Sequence, residues 1–166
     1  MGVWAQSEGF HLQITPSVSN AKVGDVIEYT ITATGADIMA LEFKLAFPEG
    51  LGYVENSAQI PQGLAEDLGW AQADWTEETQ KWTGFNDIGC DIPEGTVILT
   101  FRAVAQEEGT HRVEMKNVYP YNGSFLDEEP IVKQTEVTVS ANTQPTAPVF
   151  TATAKESGMV LTWDAT

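Results

Sequence analysis

Apolar and polar residues alternate with period two in two long blocks of the chain. In the first, Gly24 to Phe47, Ile27, Tyr29, Ile31 and Ala33 share one face, while Glu28, Thr30, Thr32 and Thr34 share the other. Leu41, Phe43, Leu45 and Phe47 then repeat the pattern against Glu42, Lys44 and Ala46. In the second, Glu94 to Ala105, Val97, Leu99, Phe101 and Ala103 oppose Thr100 and Arg102. Side chains alternate across a strand, so each such segment buries one face and wets the other. Turn residues punctuate the chain at short intervals: Pro16, Asn20, Gly24, Gly35, Pro48-Glu49-Gly50, Gly63, Gly84, Pro93-Glu94-Gly95, Gly109 and Asn122-Gly123. Helix signals are weak. The pattern predicts strands near 9–15, 25–34, 39–47, 52–56, 70–74, 79–85, 96–105, 110–117 and 131–140. Pro61 to Leu68 reads as a loop or one short helical turn. The expected fold is an all-β, antiparallel β-sandwich of about nine strands, jelly-roll-like.

Composition narrows the function classes. With 166 residues and 42% hydrophobic content, the chain has enough apolar mass for a real core and is not a disordered polymer. No apolar run approaches the roughly 18 residues of a membrane-spanning helix, so no membrane insertion is expected. Eight basic against 24 acidic residues give a net charge of −16, which repels phosphate backbones and argues against nucleic acid. The same charge favours cations or a basic partner surface. The single Cys90 allows no internal disulfide and reads as a buried or half-buried thiol. The start, Met1 to Gln6, has neither a charged n-region nor a long apolar h-region; it reads as an added start or the remnant after a leader is removed.

Composition changes at Ala141-Asn142-Thr143-Gln144-Pro145-Thr146-Ala147-Pro148, which has linker character. Two further strands are expected beyond it, joined by Lys155-Glu156-Ser157-Gly158. The domain reading is a sandwich over 8–141, a linker over 142–148, and a tail over 149–166. With its Pro-x-x-Pro opening and Leu-x-Trp second strand, the tail resembles the first two strands of a fibronectin type III domain. That resemblance implies a truncated start of such a domain and a longer modular protein.

Candidate chemistry is sparse. Trp70, Trp75 and Trp82 crowd one region, and exposed indole faces are suited to stacking on sugar rings. The alternative is that each ring packs inside the sandwich. If Phe85 is core, alternation turns Trp82 outward. Acidic clusters recur at Glu66-Asp67, Asp74, Glu77-Glu78, Asp87-Asp91-Glu94, Glu107-Glu108 and Asp127-Glu128-Glu129, but none follows a calcium-loop spacing. Asn86 to Asp91 is the nearest approach, and no metal ligands are assigned. His111 alternates with Val113 and Met115 and is expected to face inward. No Gly-x-Ser-x-Gly, His-Glu-x-x-His or phosphate loop occurs, and no catalytic residue or cofactor is assigned.

The segment from about Phe10 to Ala141 resembles a cohesin domain. Four stretches carry the likeness: Val23-Gly24-Asp25-Val26-Ile27, Ile38 to Val54, Gly95 to Ala105, and Gly109-Thr110-His111-Arg112-Val113. The chain departs from the family pattern at Phe47-Pro48-Glu49 and in the Trp-rich stretch 64–82. Cohesins are scaffoldin modules of cellulosomes and related surface systems. The resemblance implies a nine-stranded jelly roll without catalytic activity, outside the cell or on its surface. It implies that one sheet face docks a dockerin, a small helical module that carries its own calcium. By position, it places partner contacts at Ala40, Glu42, Lys44, Asn86 and Asp87. The second functional expectation is carbohydrate binding through Trp70, Trp75 or Trp82.

Overall fold

The computed structural model describes residues 9–123 and 129–143, together with the backbone of 150–155 and 158–163. The expected alternation is realised as strands: β1 (His11–Pro16), β2 (Asn20–Lys22), β3 (Val26–Ala46), β4 (Leu51–Tyr53), β5 (Gln72–Thr76), β6 (Lys81–Ala105), β7 (Gly109–His111), β8 (Glu114–Tyr121), β9 (Ile131–Gln134) and β10 (Val137–Ser140). The short helix α1 (Leu64–Leu68) lies between β4 and β5 and buries Leu64 and Leu68. A separate hairpin pairs β11 (Phe150–Lys155) with β12 (Gly158–Trp163). Residues 144–149, which hold most of the expected linker, lie outside the described residues.

Two pairs of expected strands are each one continuous strand. Segments 25–34 and 39–47 merge into β3, and 79–85 and 96–105 merge into β6. The two long strands run antiparallel to each other and carry register shifts between Ile31 and Ala40. Pro93-Glu94-Gly95, expected to be a turn, is extra chain on β6 between the pairs Ala33–Thr96 and Gly35–Ile92. A proline is tolerated at such a bulge because no ladder hydrogen bond is asked of it. Gly95 has φ 77°, a conformation that favours glycine. The bulges bend both strands, so each passes from one sheet of the sandwich to the other.

The first half of β3 pairs with β1 and with the second half of β6, and β4 and β9 extend this sheet. The second half of β3 pairs with the first half of β6, with β8 on one side and β5 on the other. The second sheet therefore reads β8-β3-β6-β5. Expected strand 131–140 divides into β9, which joins β1, and β10, which lies between β2 and β7. The β1–β9 and β2–β10 pairings are parallel, a departure from a wholly antiparallel sandwich. The fold is nonetheless an all-β jelly-roll-like sandwich.

The core fills the space between the sheets. Ile27, Tyr29, Ile31, Leu41, Phe43 and Leu45 of β3 are buried with Leu99, Phe101 and Ala103 of β6, as the alternation predicts. Val97 is only half-buried, whereas Ile98 and Leu99 are both buried. The cause is a bulge: Ile31 pairs with Leu99 and Thr32 with Val97, so Ile98 is an extra residue that turns inward. Tyr29 stacks on Phe101 at 5.1 Å with nearly parallel rings. Its hydroxyl has no hydrogen-bond partner, and burial pushes its pKa up to about 12.

Candidate docking face

Trp70 and Trp82 belong to the interior and Trp75 to its margin. Trp82 is fully buried, stacks on Phe43 at 5.6 Å and donates its indole N–H to the Ile98 carbonyl at 3.2 Å. Trp70 is buried against Trp82, and its N–H donates to the Cys90 sulfur. Cys90 is half-buried; desolvation pushes its thiol pKa up, aided by the charges of Asp91 and Asp37 and opposed by the Trp70 hydrogen bond. A thiol held protonated in this way is a poor nucleophile. Trp75 is half-buried and packs on Tyr53.

Of the two alternatives for the rings, packing inside the sandwich holds for Trp70 and Trp82, and the condition that would turn Trp82 outward, a core Phe85, is not met. Gly84 explains this facing. A Cβ built there would lie 1.8 Å from Trp70 Cζ3 and 2.6 Å from Trp82 Cη2, so two indoles occupy the space a side chain would need. With that volume filled from elsewhere, Trp82 and Gly84 take the inner face and Phe85 the outer, where it is 50% exposed. The sugar-stacking platform built on Trp70 and Trp82 is therefore absent, because those ring faces are spent on the core.

Glu77 organises the neighbouring loops. Its carboxylate accepts hydrogen bonds from Tyr53 Oη at 2.9 Å, Trp75 Nε1 at 2.8 Å and the Asn56 backbone N–H at 2.7 Å. Desolvation raises its pKa, but the three donors together outweigh that effect and hold the carboxyl below its usual range. The Tyr53 hydroxyl is pushed up, first by burial and then by Glu77. His111, expected to face inward, is half-buried at the end of β7; its Nε2 lies 3.0 Å from the Glu107 carbonyl and its ring packs over Gly50. β7 ends before Val113, so the alternation that groups His111 with Val113 and Met115 does not run through one strand.

The outer surface of the β8-β3-β6-β5 sheet is where the positional expectations meet. Ala40, Glu42 and Lys44 alternate with the buried Leu41, Phe43 and Leu45 and so point outward. The register places them in three cross-strand rows. Tyr121, Ala40, Phe85 and Gln72 form the first; Tyr119, Glu42, Thr83 and Asp74 the second; Lys116, Lys44, Lys81 and Thr76 the third. Lys81 pairs with Glu42 at 2.7 Å, and Glu114 with Lys116 at 3.4 Å. Asn86 and Asp87 sit beyond the first row. Between Ala40–Phe85 and Ile38–Cys90, four residues of β6, 86–89, face the single Met39 of β3. This bulge carries Asp87 and Ile88 outward, and Ile88 is 75% exposed. Asn86 Nδ2 donates to the Ile88 carbonyl within it.

Sequence reasoning missed the apolar part of this face. Phe85, Ile88, Tyr119 and Tyr121 are four of the seven large apolar side chains exposed among the described residues. Tyr119 and Tyr121 alternate with the buried Pro120, a signal readable in Val118-Tyr119-Pro120-Tyr121, but the strand was expected to stop at 117. Asn117 has φ 52° and lies where the β3–β8 register shifts. The irregularity there hides the continuation. No group of three or more His, Cys, Asp or Glu side chains able to hold a metal is found among the described residues, the Asn86–Asp91 stretch included.

Comparison with solved structures places this architecture. The third ScaB cohesin of R. flavefaciens, solved in complex with a group 1 dockerin, has a TM-score of 0.61 at 14% identity, covering 82% of this chain and 98% of that one. A non-cellulosomal cohesin from the hyperthermophilic archaeon Archaeoglobus fulgidus has a TM-score of 0.54 at 12% identity, covering 80% and 91%. The third ScaC cohesin of Acetivibrio cellulolyticus, in complex with the ScaB dockerin, has a TM-score of 0.54 at 17% identity, covering 77% and 98%. The chain has the cohesin fold. No protein-family model and no curated relative matches it. No helix among the described residues is long and apolar enough to cross a membrane.

Proposed function

We propose that residues 8–141 form a non-catalytic docking module whose β8-β3-β6-β5 face binds a dockerin-type protein. The observation that carries the reading is the outer face of this sheet. It presents Phe85, Ile88, Tyr119 and Tyr121 to solvent beside an ordered set of charged rows. Apolar anchors within a polar surround are the usual anatomy of a protein–protein contact. Such a patch is costly to leave in water without a use. Structurally similar cohesins have been solved with dockerins bound, which supports the choice of partner class. With Trp70 and Trp82 inside the core, the sugar-binding alternative rests on the half-buried Trp75 alone.

In this reading calcium belongs to the partner, which needs it to fold, and no cofactor is assigned to this chain. The module works outside the cell or at its surface, in a modular assembly. The 149–166 tail is the start of a following fibronectin type III-like domain. The test is capture of calcium-loaded dockerin modules on the immobilised chain, with and without chelator, comparing Glu42→Lys, Asp87→Lys and Phe85→Asp variants. Calcium-dependent capture that Phe85→Asp abolishes supports the reading. Capture indifferent to the chelator and to all three substitutions refutes it.

A further inference from the structure

One row of the docking face is opposite in sign to the chain as a whole, and this deepens the docking reading on which it rests. The chain carries only six lysines and two arginines against 24 acids. Three of those lysines, Lys44, Lys81 and Lys116, stand side by side in the third row of the face. They are not equivalent. Lys81 is held by Glu42 at 2.7 Å. Lys116 shares Glu114 with Arg112. Lys44, in the centre, has no ion-pair partner among the described residues. Its two cross-strand neighbours are both lysines, an arrangement that destabilises a sheet by like-charge repulsion. Glu42 and Glu114 offset part of that repulsion, and an anion laid over Lys44 would relieve the rest.

We infer that the partner's docking surface joins an apolar patch to a cluster of carboxylates, the patch seated on Phe85, Ile88, Tyr119 and Tyr121 and the carboxylates on the Lys44–Lys81–Lys116 row. Phe85 and Tyr121 stand two rows from the lysines on the same sheet, and Tyr119 stands in the Glu42–Thr83 row between them. The rise along a strand, two residues per row, sets successive rows about 7 Å apart, so the patch and the lysine row both fall under a single helix of a few turns. The net charge of −16 favours a basic partner at long range, but the face itself selects an acidic one at contact. This combination rejects generic cationic surfaces: they are drawn to the chain and then meet the lysine row.

The experiment measures affinity by titration calorimetry against a panel of calcium-loaded dockerin modules whose helix faces range from basic to acidic. The wild-type chain is compared with Lys44→Glu/Lys116→Glu, with Lys44→Gln, with Phe85→Asp and with Lys133→Glu. Lys133 is exposed on β9, in the other sheet, and serves as the charge control. The expected result is binding confined to modules with an acidic face, weakened by about tenfold or more in the double reversal and unchanged in the control. Lys44→Gln gives a smaller loss in the same direction. Replacing the partner's acids by lysine restores binding to the double reversal. All four variants change exposed or partly exposed outward side chains, and unchanged melting curves confirm that they fold. Binding that Phe85→Asp abolishes but the double reversal leaves within about twofold overturns the inference and leaves the docking reading standing. Preference for basic-faced modules overturns it in the same way. Failure of the wild-type chain to bind any member of the panel overturns both.

Discussion

Removing the carboxylate of Glu77 is the sharpest test of how the loops beside the docking sheet are held. Three donors converge on it: Tyr53 from β4, Trp75 from β5, and the backbone of Asn56. Hydrogen bonds to a charged acceptor are worth roughly 1.5–3 kcal/mol when well shielded. Here Asn56 is exposed, so water replaces its contribution almost fully. Tyr53 and Trp75 are half-buried and are replaced only in part, which leaves about 1 kcal/mol for each. Glu77→Ala should therefore cost about 2 kcal/mol, lowering Tm by about 4–8 °C in a chain of this length. Glu77→Gln keeps an acceptor and should cost about half as much. The pH dependence gives an independent check. The folded carboxyl titrates below its ordinary value of 4.5, so the folded state binds fewer protons than the unfolded state near that pH. The contribution is complete above the unfolded pKa and is lost as pH falls through the folded one. The stability gap between wild type and Glu77→Gln should therefore be full at pH 6 and shrink steadily below about pH 4.5. Urea unfolding followed by tryptophan fluorescence measures both, with the exposed neighbour Glu78→Ala as control. A loss below about 0.5 kcal/mol for Glu77→Ala, or a gap that widens on acidification, would refute the reasoning.

Two further outcomes follow from the core. Gly84→Ala should destabilise by about 1–3 kcal/mol, because the new methyl overlaps Trp70 and Trp82; a thermal melt unchanged within about 1 °C would mean that the indoles have room to move. Tyr29→Phe should stabilise by about 1 kcal/mol in denaturant titrations at pH 7, because it removes a buried hydroxyl with no partner. Since burial raises that hydroxyl to about 12, wild type should also lose stability relative to Tyr29→Phe as pH climbs from 10 to 12, and equal alkaline curves would contradict this.

Period-two alternation made the strands legible because burial on one face leaves a direct trace in composition. It identified most of the inward residues of β3 and, in β6, Leu99, Phe101 and Ala103. What alternation cannot show is whether two strand-like blocks separated by turn residues are two strands or one. Pro93-Glu94-Gly95 has the chemistry of a turn, yet the register of β3 and β6 uses it as extra length in a bend. Alternation also fixes only relative facing. Hydrophobicity leaves open whether Phe85 or Trp82 faces inward, and Gly84 gives no sign that Trp70 occupies its place from another segment. The outward positions Ala40, Glu42 and Lys44 were readable because they lie on an uninterrupted part of β3. Lys81 and Lys116 were not, because their meeting with Lys44 depends on pairing across three strands, one of them shifted at Asn117.

The bulge at residues 86–89 has a consequence for how such a face can change over time. The ladder of β3 and β6 is complete on either side of it, at Ala40–Phe85 and Ile38–Cys90, so its four residues are not needed to keep the two strands in register. Gly89 is pinned, because a side chain there would run into Asp37, but the exposed Asp87 and Ile88 can change without moving Leu41, Phe43 or Trp82. The protruding part of the recognition surface at Asp87 and Ile88 is thus a part whose substitution costs the fold little. A lineage altering this segment alone could exchange one binding partner for another while inheriting the rest of the molecule intact.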